Sequence, residues 1–166
     1  MRSVTILFTA GQNPLSQLIM WMTGSEASHC AIGGLYLYDV PIVLHASVGG
    51  AKAVPRSKYL AEHQLVAEYE ILKDVDVKSA ISMLDEKYDY PGLLGFFPIM
   101  FARWLGKKIR NPLSSPHAVV CSELVMALDP GGVRFPEWLD YDSETTTPED
   151  LLADCKRSVH HFRKIG

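Results

Sequence analysis

The sequence predicts one α+β domain, a central and mainly antiparallel sheet with packed helices, and three observations carry that prediction. Segments dense in β-branched and aromatic residues alternate along the chain with segments whose apolar residues recur at helical spacing. The strand-like segments Ser28 to Tyr38 and Ile42 to Val48 are joined by only Tyr38-Asp39-Val40-Pro41, too few residues for a crossover helix, so they pair antiparallel. The chain's 166 residues, 48% hydrophobic and 21% charged, suit a single core spanning residues 1–166.

Taken in order, Ser3 to Thr9 reads as a buried strand ended by Gly11. Asn13 and Pro14 then supply a cap and a first helical residue, and Leu15, Leu18, Ile19 and Met22 hold helical spacing until Gly24. After the hairpin, Gln64 to Leu72 alternates Leu65, Ala67, Tyr69 and Ile71 with polar neighbours and is expected as the third strand of a meander. Asp76 opens a predicted helix to about Lys87, with Val77, Ala80, Ile81 and Leu84 on one face. A short helix is predicted from Val120 to Leu128, stopped by Asp129-Pro130-Gly131-Gly132. Thr147, Pro148, Glu149 and Asp150 give the next helix a cap and an acidic first turn, running to about Arg157, and a strand near Ser158 to Arg163 closes the sheet.

Sixteen Lys and Arg against nineteen Asp and Glu leave a net charge of −3, so nucleic acid is not an expected partner. The apolar stretch Val4 to Phe8 is too short for a signal peptide, and PGLLGFFPIMFA, residues 91–102, is too short and too rich in Gly and Pro for a spanning helix. The cytoplasm is therefore the expected location, with Cys30, Cys121 and Cys155 as reduced thiols.

Chemistry concentrates on three residues. Cys121 falls in the first turn of its predicted helix, where unpaired N–H groups favour a thiolate, although a free cysteine is equally at home as a small buried hydrophobe. His29 begins the second strand after a Gly-Ser loop, at a point where an imidazole can project into a cleft or be satisfied structurally by backbone groups. Cys30 beside it points to the other sheet face, which predicts that the two do not share a site. His45 lies near the end of the next strand, and a bulge at Gly33-Gly34 would bring it toward His29 despite a shifted hairpin register. Cys121, His29 and His45 together offer a nucleophile, a base and an orienting residue. His117 is a competing base, while His63, His160 and His161 read as surface. Zinc accepts the ligand types of His29, His45 and Cys121, but no paired spacing of metal-binding motifs occurs, so neither metal nor cofactor is expected.

These residues carry a resemblance. NPLSQLIMWMTGSEASHCAIG, VLHAS and VVCSELV, with YDYPGLLGF and TTPEDLL as weaker matches, resemble in permuted order the segments of the circularly permuted NlpC-type cysteine peptidase superfamily, the YiiX/YebB-like group with a papain-like fold. The matches run from about residue 12 to 152. The resemblance implies Cys121 as nucleophile, His29 as general base and His45 at the third polar position, which is often Glu in this branch. It also implies cleavage of peptide or cell-wall-type amides, or acyl transfer from lipids, with a small peptide, aminoacyl or acyl substrate. The Cys121 N–H is then the natural first oxyanion donor. Ser28, Tyr88 and Tyr90 are the expected substrate-lining residues. The rival is a non-catalytic ligand-binding module on the same fold. The segment Phe96 to Arg110, apolar and then FARWLGKKIR, reads as a helix or loop over the core or as a lip that touches a membrane surface or anionic polymer.

Overall fold

The computed structural model describes residues 3–12, 14–47, 49–84, 87–88, 98, 101–102, 105–106, 118–128 and 146–166. In chain order these form β1 (Thr5–Ala10), α1 (Pro14–Thr23), β2 (His29–Leu37), β3 (Val40–Ser47), β4 (Gly50–Pro55), α2 (Arg56–Glu62) and β5 (Gln64–Ile71). There follow α3 (Lys78–Ser82), β6 (Lys87–Tyr88), β7 (Ala118–Val119), α4 (Cys121–Met126), α5 (Pro148–Arg157) and β8 (Phe162–Lys164). Six strands make one antiparallel sheet in the order β4-β3-β2-β1-β5-β8, and β6 pairs with β7 in a short parallel ribbon. The described architecture is α+β.

Alternation along the strands sends successive side chains to opposite faces. Ile6, Phe8, Cys30, Ile32, Leu44 and Ala46 enter the larger core, where Leu124 and Val125 of α4 and Leu151, Leu152 and Cys155 of α5 cover them. Leu7, Ala31 and Val43 face the other way and meet Tyr59 of α2. His29 and His45 share the parity of Ala31 and Val43, so they belong to the α2 face.

The β2–β3 hairpin turns on Tyr38 and Asp39, whose φ of 47° and 65° match the right-handed strand twist in a two-residue loop. Its ladder runs from Leu37↔Val40 to Ile32↔Leu44, with a register shift between Ile32 and Leu35. Gly34 supplies that bulge with φ of 74°, and a Cβ there would lie 2.1 Å from the Ser3 carbonyl oxygen. Gly34→Ala is thus expected to cost at least about 2 kcal/mol, the left-handed penalty plus a backbone displacement, read as a lowered urea midpoint. An unchanged midpoint would contradict the bulge geometry.

Beyond Ile32 and Leu44 the two strands part. His29, Cys30 and Ala31 pair with Thr9, Phe8 and Leu7 of β1, while His45, Ala46 and Ser47 pair with Lys52, Ala51 and Gly50 of β4. Helix α4 contacts both β2 and β3. This open seam positions the site.

Helix α5 starts as the sequence predicts. Thr147 Oγ1 accepts from the Asp150 N–H at 3.2 Å and the Asp150 carboxylate accepts from the Thr147 N–H at 2.8 Å, with Pro148 as first helical residue. Three expectations are corrected. The third meander strand is β4; the 64–71 strand instead pairs with β1 on the far side of β2. The helix expected to reach Lys87 covers only Lys78–Ser82, because Lys87 and Tyr88 pair with Ala118 and Val119 instead. β4 and α2 went unread, since Gly50-Ala51-Lys52-Ala53 has little β-branched content and α2 buries only Tyr59.

Candidate active site

The chain reaches Cys121 through Val120, whose extended backbone (φ −100°, ψ 163°) caps α4, and whose N–H donates to the Glu123 carboxylate at 2.8 Å. As first residue of the helix, Cys121 has one of the amides that helical geometry leaves without an internal partner. Cys121 is 7% exposed and joins the larger core, on the helix that packs over β2 and β3. Cys30 and His29, both on β2, are the neighbours that act on its thiol. The Cys30 thiol contact, helped by the charge and hydrogen bond of His29, holds the Cys121 thiol well below the ordinary range despite burial, which opposes it. Cys30 is pushed the other way, chiefly by burial and then by its bond to Cys121.

The His29 and Cys30 side chains leave β2 on opposite faces, as alternation predicts: Cys30 enters the larger core and His29 joins the rings on the α2 face.

On the α2 face four rings gather. The His29 and His45 centroids are 5.8 Å apart with planes at 88°, and His63 stacks on His29 at 5.5 Å and 22°. Tyr59 stacks on His63 at 4.4 Å and meets His45 edge-on at 5.1 Å. Tyr59 and Thr9 share a hydroxyl hydrogen bond of 2.9 Å, which ties α2 to β1. His63 Nδ1 donates to the Tyr59 carbonyl at 3.0 Å; a carbonyl only accepts, so the hydrogen sits on Nδ1 and Nε2 is left as the acceptor of the neutral ring. His63 was expected on the surface and is instead half-buried in the cluster. The legible signal was the i, i+4 spacing of Tyr59 and His63 on a helix that the sequence reading missed. His161 is likewise half-buried, against Phe162, whereas His160 is exposed as expected.

Continuing the β2–β3 register would set His29 beside Ser47, so His45 reaches His29 as a diagonal neighbour, a spacing long side chains span. His29 Nε2 and His45 Nδ1 are buried and find no hydrogen-bond partner among the described residues. Burial, followed by repulsion from His29, His63 and Lys52, pushes His45 down to about 3. A neutral His45 influences His29 through position and dipole rather than charge.

That depressed value has a stability consequence. Between about pH 3 and pH 6.5 the unfolded chain binds a proton at residue 45 that the native protein refuses, so this contribution is complete above about pH 6.5 and is lost on acidification. Burial lowers His63 as well, which adds with the same sign. Urea unfolding is expected to show about 1 kcal/mol or more lost between pH 7.5 and 5.5, with a slope no steeper than about 1.4 kcal/mol per pH unit for each histidine. His45→Gln should flatten that slope; parallel pH profiles in parent and variant would contradict the account.

The structure thus sets the His29 and His45 rings side by side on one face of β2 and β3, and Cys121 in the core on the other, where His29 still acts on its thiol. Ser28 is 5% exposed and its hydroxyl accepts from the Gly11 N–H at 3.0 Å, anchoring the loop after β1. The backbone of Tyr88 pairs with Val119, two residues before Cys121. Tyr90 and His117 lie outside the described residues, as does most of Phe96 to Arg110, of which Phe101 and Leu105 are exposed. Cys30 and Cys155 are buried. Among the described residues no group of three or more His, Cys, Asp or Glu side chains is arranged to hold a metal ion, and no helix is long and apolar enough to cross a membrane. No protein-family model matches the chain, and no curated protein is significantly similar to it.

Proposed function

We propose that the chain is a thiol hydrolase that cleaves an amide bond of peptide or cell-wall type, with Cys121, His29 and His45 in a permuted papain-like fold and with the cytoplasm as its setting. The observation that carries the reading is Cys121 as first residue of a helix that packs over β2 and β3, where His29 of β2 favours its thiolate. A purely structural cysteine gains nothing from an environment that favours its charged form.

In this reading His29 takes the thiol proton and the Cys121 thiolate attacks the carbonyl carbon. The oxyanion receives the Cys121 N–H. His29 then returns the proton to the leaving nitrogen as the C–N bond breaks, which leaves a thioester on Cys121. Water, deprotonated by His29, hydrolyses the thioester and frees the carboxylic product. His45 keeps the His29 ring in place.

The test is intact-protein mass spectrometry with aminoacyl and dipeptide amides, acyl esters and phospholipid vesicles. A covalent acyl adduct on Cys121 from an amide donor is the expected result, and an adduct from phospholipid alone would move the assignment to lipid acyl transfer. If no donor class forms an adduct and Cys121→Ala binds the same compounds as the parent does, the hydrolase reading fails and the binding module replaces it.

A further inference from the structure

His63 takes no part in the amide chemistry just described, yet of the rings gathered on the α2 face it is the one that lies flattest on His29. The two planes make 22° at a centroid distance of 5.5 Å, whereas His45 meets His29 at 88° and Tyr59 lies at 36° and 6.2 Å. His29 Nε2 and His45 Nδ1 have no hydrogen-bond partner among the described residues, so neither atom ties those two rings together. An imidazole turns about its Cβ–Cγ bond over a broad range of angles unless its neighbours stop it. A ring packed flat on His29 does stop it, because a quarter turn would drive an edge of His29 into the face of His63.

His63 is itself firmly held. It is the single residue between the end of α2 at Glu62 and the start of β5 at Gln64, with an extended backbone (φ −134°, ψ 129°). Gln64 pairs with Ala10, and the preceding Thr9 pairs with both Leu65 and His29, so the sheet sets the height of His63 against His29. The Tyr59 ring stacks on His63 at 4.4 Å and 14°, and His63 Nδ1 donates to the Tyr59 carbonyl at 3.0 Å, which fixes the orientation of the ring. Tyr59 is anchored in turn by its hydroxyl bond to Thr9.

We propose that His63 is a positioning residue for the base: packed flat on His29, it holds the imidazole plane at the angle that presents a ring nitrogen to the Cys121 thiol and then to the leaving nitrogen. The role rests on the proposed hydrolase and gives its base a second support beside His45. Displacing a reacting group by about 1 Å can cost about a hundredfold in rate, which sets the scale of the effect. The support works only while His63 is neutral, since a protonated ring would set a cation flat against the imidazolium that His29 becomes on taking the thiol proton. Burial first, then the nearness of His29, works against that charge; the bond to the Tyr59 carbonyl and the Glu62 carboxylate favour it, and the balance lies below the ordinary histidine value. His45 of β3 faces the same rings, and Lys52 of β4 acts on His45.

The test compares the parent with His63→Ala and His63→Phe by NMR of the histidine side chains and by steady-state kinetics on the donor that first yields an acyl adduct. In the parent, nuclear Overhauser contacts between the ring protons of His29 and His63 are expected, a reading that needs neither variant nor substrate. His63→Ala should shift the His29 ring resonances and lower kcat by about tenfold to a hundredfold at little-changed KM. His63→Phe keeps a flat ring that takes no proton. It should recover most of that loss at neutral pH, and its turnover should fall less than the parent's on acidification below about pH 6.5, a difference that a merely structural role would not produce. No ring contact in the folded parent, unmoved His29 resonances in His63→Ala, or a Phe variant as slow as the Ala variant would each overturn the proposal. Should His63→Ala fail to fold, the parent contacts and the pH profile of His63→Phe decide the matter. An acyl adduct that forms equally fast in parent and His63→Ala would sink the positioning role and leave the hydrolase reading standing. Ring contacts in a parent that forms no adduct with any donor would sink the hydrolase reading, and with it the role of His63 in catalysis, and leave only the packing of His63 on His29.

Discussion

Cys121→Ala is expected to bring amide turnover to the uncatalysed background, a fall of about a thousandfold or more, because the other two thiols, Cys30 and Cys155, are fully buried and burial keeps Cys30 protonated. His29→Ala should cost about 10² to 10⁴ in kcat, since it removes both the hydrogen bond that favours the thiolate and the acid that protonates the leaving nitrogen. The double variant should be no worse than Cys121→Ala alone, as expected of residues that act as a unit. His45→Gln keeps a neutral hydrogen-bonding group and should lower turnover without abolishing it. Steady-state kinetics on the donor that first yields an adduct checks all four. Full activity in Cys121→Ala would remove the nucleophile from the account.

The second large effect is on stability. Leu124 is fully buried, one turn after Cys121 on the inner face of α4, and joins the cluster that includes Phe8, Ile32 and Leu44. Leu124→Ala is expected to cost about 2 to 5 kcal/mol, the lost transfer energy plus a cavity, out of a total that for such domains is about 5 to 15 kcal/mol. The same cavity loosens the packing that seats Cys121 in the core, so activity of the remaining folded protein should fall too. Val159→Ala, at a 65% exposed position, should stay within about 0.5 kcal/mol. Chemical denaturation of the two variants makes the comparison, and equal midpoints would contradict the assignment of α4 as the helix that closes the core.

The parts of this molecule legible in the sequence are those whose cause is local. Thr147 and Asp150 cap α5 within four residues, the Tyr38-Asp39 turn joins adjacent strands, and Gly33-Gly34 marks its own bulge. What the sequence hid is decided at a distance. β4 has weak strand composition and forms because β3 offers an edge to pair with; the helix after Asp76 stops early because Lys87 and Tyr88 find partners some thirty residues on. The approach of His29 and His45 was anticipated from their places at strand ends, whereas the place of His63 among their rings was not. Alternation correctly sent His29 and Cys30 to opposite faces. Nothing local says that the β2–β3 ladder ends at Ile32 and Leu44, where the helix that begins at Cys121 packs over both strands.

At the centre of the proposed mechanism is a Cys121 thiol held below the ordinary range by its neighbours. The pH dependence of iodoacetamide alkylation, followed residue by residue by peptide mass spectrometry, reads that directly. The prediction is a Cys121 rate that stays near its plateau well below the ordinary thiol value of about 8.5, exceeds those of Cys30 and Cys155 at pH 6.5 by about tenfold or more, and drops in His29→Ala. A Cys121 that titrates at or above about 8.5, with the same profile in parent and His29→Ala, would contradict it.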